Sequence, residues 1–115
     1  MRKAIVLVAL VCALGVVGAA GATATATTTV QVKAGEFFFK LSKSSIAKPG
    51  TVVFTVKNAG HLAHDFKIAG KKTALIQPGK SATLKVRFAK AGKYAYLCTV
   101  PGHASAGMKG NFTVR

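Results

Sequence analysis

An all-β sandwich of seven or eight short strands in two sheets is the fold that this 115-residue sequence predicts. Three observations lead there. Apolar residues recur with a period of two rather than 3.6. Turn signals break the alternating runs at short intervals. No stretch of useful length carries a helical pattern. A chain of this size builds one core and not two.

The elements follow in order. "TATATTT", Thr23 to Thr29, is a low-complexity threonine-alanine stretch, expected to be partly leader and partly a flexible start. In "EFFFKLS" the alternation puts Phe37, Phe39 and Leu41 on one face, with Glu36, Phe38 and Lys40 on the other. That reading makes the Phe37–Phe39 cluster core and first-strand structure, not a site. "TVVFTVKN" sets Val52, Phe54 and Val56 against Thr51, Val53, Thr55 and Lys57. "SATLKVRF" sets Leu84, Val86 and Phe88 against Thr83, Lys85 and Arg87. "GKYAYLC" and "GNFTVR" continue the pattern, with Phe112 and Val114 inward and with Tyr94 and Tyr96 as packing residues. The turns between them are "KPG" at Lys48, "NAG" at Asn58, "QPGK" at Gln77 and "KAGK" at Lys90.

Before the first strand, Arg2 and Lys3 precede an uncharged run from Ala4 to Ala22 that ends in small residues. This is the pattern of a secretory signal peptide over residues 1–26, with cleavage expected after Ala22, Ala24 or Ala26. The domain then occupies residues 27–115, exported to a periplasm, cell envelope or medium. A membrane is a partner only if the leader stays uncleaved as an anchor. Cys12 leaves with the leader, so the mature domain keeps one cysteine, Cys98, and makes no internal disulfide. An odd cysteine in an oxidising compartment needs a role.

The chain has 17 lysines and arginines against two acids, Glu36 and Asp65. Loss of Arg2 and Lys3 takes the formal net charge from +15 to +13. Such a surface favours acidic partners or anionic envelope polymers. Export and the even spread of lysines argue against nucleic acid. Solvated strand faces and lysine-protected edges account for the charge equally well.

The chemistry is concentrated in "CTVPGHASAGM", where Cys98, His103 and Met108 are each separated from the next by four residues. Cys98 ends a strand, a Pro-Gly turn follows, and the last strand begins beyond Met108. Thiolate, imidazole and thioether form a soft donor set, which selects copper over zinc. One more imidazole completes His₂Cys with a weak axial Met. "NAGHLAHDF" offers His61 and His64. His64 opens a strand-like run that pins it, whereas His61 lies in the loop before it, so His64 is the expected ligand.

"NAGHLAHDF" followed by "YLCTVPGHASAGM" resembles the two copper motifs of the cupredoxins, the plastocyanin and azurin family, over essentially the whole mature domain. The resemblance implies a Greek-key β-sandwich with one type 1 (blue) copper ion at one end. It implies His64, Cys98 and His103 as strong ligands and Met108 as the long axial one. It also implies a surface near His103, beside Pro101, Gly102 and Ala104, through which electrons pass. The Cys-x₄-His-x₄-Met spacing is longer than in plastocyanins and closer to that of rusticyanin. Asp65 stands where many members have asparagine, and is expected to accept hydrogen bonds from backbone near Thr99.

These readings make the protein a monomeric one-electron carrier cycling Cu(II)/Cu(I), not an enzyme. Four protein ligands leave no open position for substrate. Its expected partners are acidic redox proteins such as a cytochrome or an oxidase domain, met transiently. Copper storage or delivery with the same ligands is the alternative. Three histidines cannot build a multicopper oxidase, and one cysteine in the loop cannot build a binuclear copper site.

Overall fold

A computed structural model describes residues 27–115, and the expected leader lies outside them. The described residues contain nine strands and no helix. They are β1 (Thr27–Gly35), β2 (Phe38–Leu41), β3 (Ser45–Ile46), β4 (Gly50–Asn58), β5 (Lys67–Ile68), β6 (Lys71–Lys72), β7 (Ser81–Phe88), β8 (Gly92–Leu97) and β9 (Lys109–Val114). The number exceeds the expected seven or eight because β3, β5 and β6 are two-residue pairings too short to show an alternating pattern.

Two sheets face each other, one ordered β2-β1-β4-β7 and the other β3-β9-β8-β5-β6. The chain crosses between sheets after β2, β3, β4, β6 and β7, so neighbours within a sheet are mostly not neighbours in sequence. β1 runs parallel to β4 and β3 parallel to β9, while the other pairs are antiparallel. This is the sandwich that the period of two requires.

The alternation sets the core. Val30, Val32 and Ala34 of β1, Val52, Phe54 and Val56 of β4, and Val86 and Phe88 of β7 point inward from one sheet. Ile68, Tyr96, Phe112 and Val114 meet them from the other. Phe54 stands at the centre, with ring centroids 5.2 Å from Phe66 and 5.3 Å from Phe112. Tyr94 packs on Phe88 at 4.7 Å and Tyr96 on Phe66 at 5.5 Å, so both tyrosines serve packing.

One expected alternation stops early. Phe39 and Leu41 are half-buried against the core, but Phe37 precedes β2, lies in the turn after β1 and is 37% exposed. The turn ends the pleat, so the period of two no longer governs which way residue 37 points. Phe37 is not a core residue.

Candidate metal centre

At one end of the sandwich two loops meet, Ala59 to Phe66 between β4 and β5 and Cys98 to Met108 between β8 and β9. The inward row of β4 runs Val52, Phe54, Val56 and then Asn58, a polar residue at a core position. A buried amide must find partners. Asn58 Nδ2 donates to the carbonyls of Leu62 at 2.7 Å and Ile76 at 2.8 Å, and its Oδ1 accepts the Gly60 N–H at 2.9 Å. Those bonds fold the first loop back over the end of β4. His64 then pairs with Ile76 in an isolated bridge, through His64 N–H to Ile76 O at 3.1 Å and the reverse bond at 2.7 Å. It is therefore pinned by backbone pairing, although β5 itself starts only at Lys67.

The second loop is tied at its base, where Cys98 N–H donates to Met108 O at 3.1 Å. Val100-Pro101-Gly102-His103 is a tight turn closed by His103 N–H to Val100 O at 3.0 Å. Proline at its second position and glycine at φ 83° at its third are the chemistry of a type II turn. The turn swings His103 back toward Cys98. Met108 N–H then donates to His103 O at 3.1 Å, and Met108 is fully buried.

His64, Cys98 and His103 are all buried, and their donor atoms lie within 4.8 Å of one another. His64 Nδ1 is 3.1 Å from His103 Nδ1, and Cys98 Sγ is 3.6 Å from His103 Nδ1 and 4.0 Å from His64 Nδ1. Two atoms bound to one ion at about 2.0–2.3 Å each must lie within about 4.0–4.6 Å of one another. All three separations meet that condition, so the residues fit a single small metal ion. His61 is elsewhere, with its side chain 98% exposed.

Hydrogen bonds around this trio hold it in place. Asp65 N–H points at Cys98 Sγ at 3.5 Å. The Asp65 carboxylate accepts the Thr99 N–H at 2.6 Å and also the Thr99 hydroxyl, which ties the two loops together as expected. Burial pushes the Cys98 thiol above its ordinary pKa, with the Asp65 charge adding to the rise. A metal must displace that proton to bind sulfur.

Sequence reasoning missed Glu36. Its Oε2 accepts His64 Nε2–H at 2.8 Å, while the carboxylate also takes the His61 N–H at 2.9 and 3.0 Å and the Leu62 N–H at 3.1 Å. These bonds, the His61 backbone first and His64 next, lower the Glu36 pKa to about 2. A carboxylate only accepts, so Nε2 carries the proton and, in the neutral ring, Nδ1 turns a lone pair toward Cys98 and His103. Phe37, next in the chain, packs edge-on against His103 with centroids 4.9 Å apart. The region first read as plain strand thus contributes two neighbours to the site.

The family model for copper binding proteins of the plastocyanin/azurin family matches residues 13–115. The chain belongs to that family. Its relatives include a protein of Pseudomonas aeruginosa named copper-resistant cuproprotein CopI, 25% identical over 80% of this chain and 78% of that one. Auracyanin-B of Chloroflexus aurantiacus is 48% identical over a shorter stretch, 36% of this chain and 18% of that one. Among solved structures, the dithionite-reduced auracyanin of Roseiflexus castenholzii superposes with a TM-score of 0.68 at 22% identity, covering 80% of this chain and 99% of that one. An auracyanin B structure gives 0.67 at 23%, covering 76% and 88%. These likenesses match the cupredoxin fold expected from the paired motifs.

Proposed function

We propose that this domain is an exported type 1 copper protein that carries single electrons, with His64, Cys98 and His103 as the strong ligands and Met108 as the axial one. The observation that carries the reading is the convergence of three buried soft or borderline donors at separations suited to one ion. A thiolate-bound copper ion supplies the one-electron couple Cu(II)/Cu(I).

The protein's own part is positional. Asn58 and the His64–Ile76 bridge set the first loop, and the type II turn sets His103. Glu36 fixes which nitrogen of His64 bears a proton. The Asp65 N–H faces the sulfur and limits its basicity. Because backbone ladders and a buried amide hold these groups, little need move between oxidation states, which suits electron transfer rather than bond making.

The test is a visible absorption spectrum after one equivalent of Cu(II), then after ascorbate. Intense blue colour that bleaches and returns on oxidation supports the carrier. Pale colour, or oxidation of Cys98 alone, overturns it.

A second reading rests on the similarity to a copper-resistant cuproprotein over most of both chains. On that reading the same ligands store or deliver copper. Rapid handover of copper to a chelator, together with slow electron exchange, favours it. The same class of partners expected from the charge, acidic redox proteins, belongs to the carrier reading alone.

A further inference from the structure

Six lysines form two rows, one on each outer face of the sandwich, close to the metal end. On the first sheet Lys40, Lys33 and Lys57 stand opposite one another across β2, β1 and β4. On the second, Lys72 is opposite Lys67, Lys67 is opposite Leu97, and Leu97 is opposite Lys109. All six lysines are exposed.

Adjacent strands lie about 4.8 Å apart, and like charges directly opposite one another destabilise a sheet. Edge protection explains lysine on β2 and β6, which are edge strands. It does not explain Lys33, Lys57, Lys67 and Lys109, which sit on interior strands. Nor does internal pairing, because the two acids of the chain are committed elsewhere: Glu36 to His64 and its loop, Asp65 to Thr99. Among the described residues no lysine or arginine pairs with a carboxylate, since Glu36 meets only histidines.

The position of the rows is specific. Lys109 follows Met108, Leu97 precedes Cys98, Lys57 precedes Asn58, and Lys67 is three residues past His64. Between the rows, the loop segments 58–64 and 98–108 contain no lysine or arginine. They expose Leu62 and Pro101, and Phe37 lies beside them on His103. A partly apolar end without lysine or arginine, whose one carboxylate, Glu36, is taken up by His64 and the loop N–H groups, is bordered by cations and has the anatomy of a docking surface, with its apolar centre and polar rim.

We infer that these two rows are the rim on which an acidic protein docks end-on over the metal centre; this rests on the electron-carrier reading. The choice of a folded protein over an anionic polymer follows from geometry. The rows lie on outer faces that point away from each other, with loop segments free of lysine and arginine between them. A flexible polyanion follows one continuous basic stripe, whereas a body seated over the end reaches both rows, aided by the long lysine stems. Its negative charge is complementary to the rim and speeds encounter.

The test uses the copper-loaded domain with cytochrome b5, an acidic haem protein, as probe, and compares two charge-reversed triples. One is Lys33→Glu, Lys57→Glu and Lys67→Glu at the rim. The other is Lys48→Glu, Lys90→Glu and Lys93→Glu, exposed positions at the opposite end, the first two in loops and the third at the start of β8. At low salt the rim triple is expected to weaken binding and slow electron exchange about tenfold, and the far triple about twofold or less. Both differences vanish at high salt. In the Cu(I) form, amide shifts on adding the probe fall on residues 60–63 and 100–106.

Equal effects of the two triples overturn the proposal, because net charge alone then steers. So do shifts spread along one sheet face with inorganic polyphosphate binding more tightly than the protein probe, the outcome expected of an anionic polymer. If a Lys→Glu triple fails to fold, the Lys→Gln triples at the same positions make the same comparison. Copper that cannot be cycled by hexacyanoferrate rejects the carrier reading instead, and the amide shifts still report where the acidic probe docks.

Discussion

Glu36 Oε2 accepts the Nε2 proton of His64 at 2.8 Å while the same carboxylate receives the backbone N–H groups of His61 and Leu62. One side chain thus orients the expected ligand and anchors the loop that presents it. Carboxylates behind metal-binding histidines raise ligand basicity, and their loss costs about 10–100-fold in metal affinity. Glu36→Ala is expected to weaken copper binding by about that factor, measured by chelator competition. Glu36→Gln keeps an acceptor for Nε2 but removes the charge, so the reduction potential should rise in voltammetry. Gly60→Ala approaches the same result from outside, because a Cβ there would collide with the Glu36 carboxylate and displace it. Copper affinity in Gly60→Ala equal to the wild type would show that this carboxylate is not an anchor.

His64 and His61 lie three residues apart and differ in every respect that matters for ligation. His64 is fully buried, bridged to Ile76 and aimed at Cys98 and His103, whereas the His61 side chain is exposed. His64→Ala should abolish the blue absorption. His61→Ala should leave it intact, since Glu36 holds residue 61 by its backbone N–H. Loss of the colour in His61→Ala would reverse the assignment.

Asp65 has two separable roles. Its carboxylate bridges to the Thr99 backbone and hydroxyl, and its charge sits beside the Cys98 sulfur. Asp65→Asn can accept the Thr99 N–H through Oδ1 and donate Nδ2 to the hydroxyl, so the fold should survive. The charge is lost, the oxidised and more positive state loses stabilisation, and the potential should rise. Asp65→Ala breaks the bridge as well and should cost about 1–3 kcal/mol in denaturant unfolding, the usual cost of leaving such groups unpaired. A potential in Asp65→Asn that stays constant or falls would sink the electrostatic account.

Much of this was legible in the sequence, for reasons that can be named. The inward rows of β4, β7 and β9 follow from strict alternation, which burial enforces over long strands, whereas β1 does not show as a strand because the threonines at its start continue the low-complexity run before it. Cys98 and His103 were legible as neighbours because they share one loop. Glu36 was not, because it meets His61 and His64 only through a turn that brings residues 25 and 28 positions apart into contact. Asn58 did leave a signal, a polar residue continuing the Val52, Phe54, Val56 row, which marks a buried amide in need of partners. Phe37 was misread because the pattern was extended one residue past the strand into the turn.

That misreading bears on the final prediction. Phe37 covers one side of the His103 ring while remaining part exposed itself, so its removal opens the site more than it hollows the core. Phe37→Ala should cost only about 1 kcal/mol of folding stability, the scale of one aromatic pair. Water reaching His103 raises the local dielectric and favours the more highly charged oxidised state. The potential should therefore fall, opposite in sign to Glu36→Gln and Asp65→Asn, and Phe37→Leu should restore most of the difference by keeping the cover. Voltammetry on the four variants together checks the scheme. If Phe37→Ala raises the potential, the ring acts on His103 through its orientation rather than by excluding water.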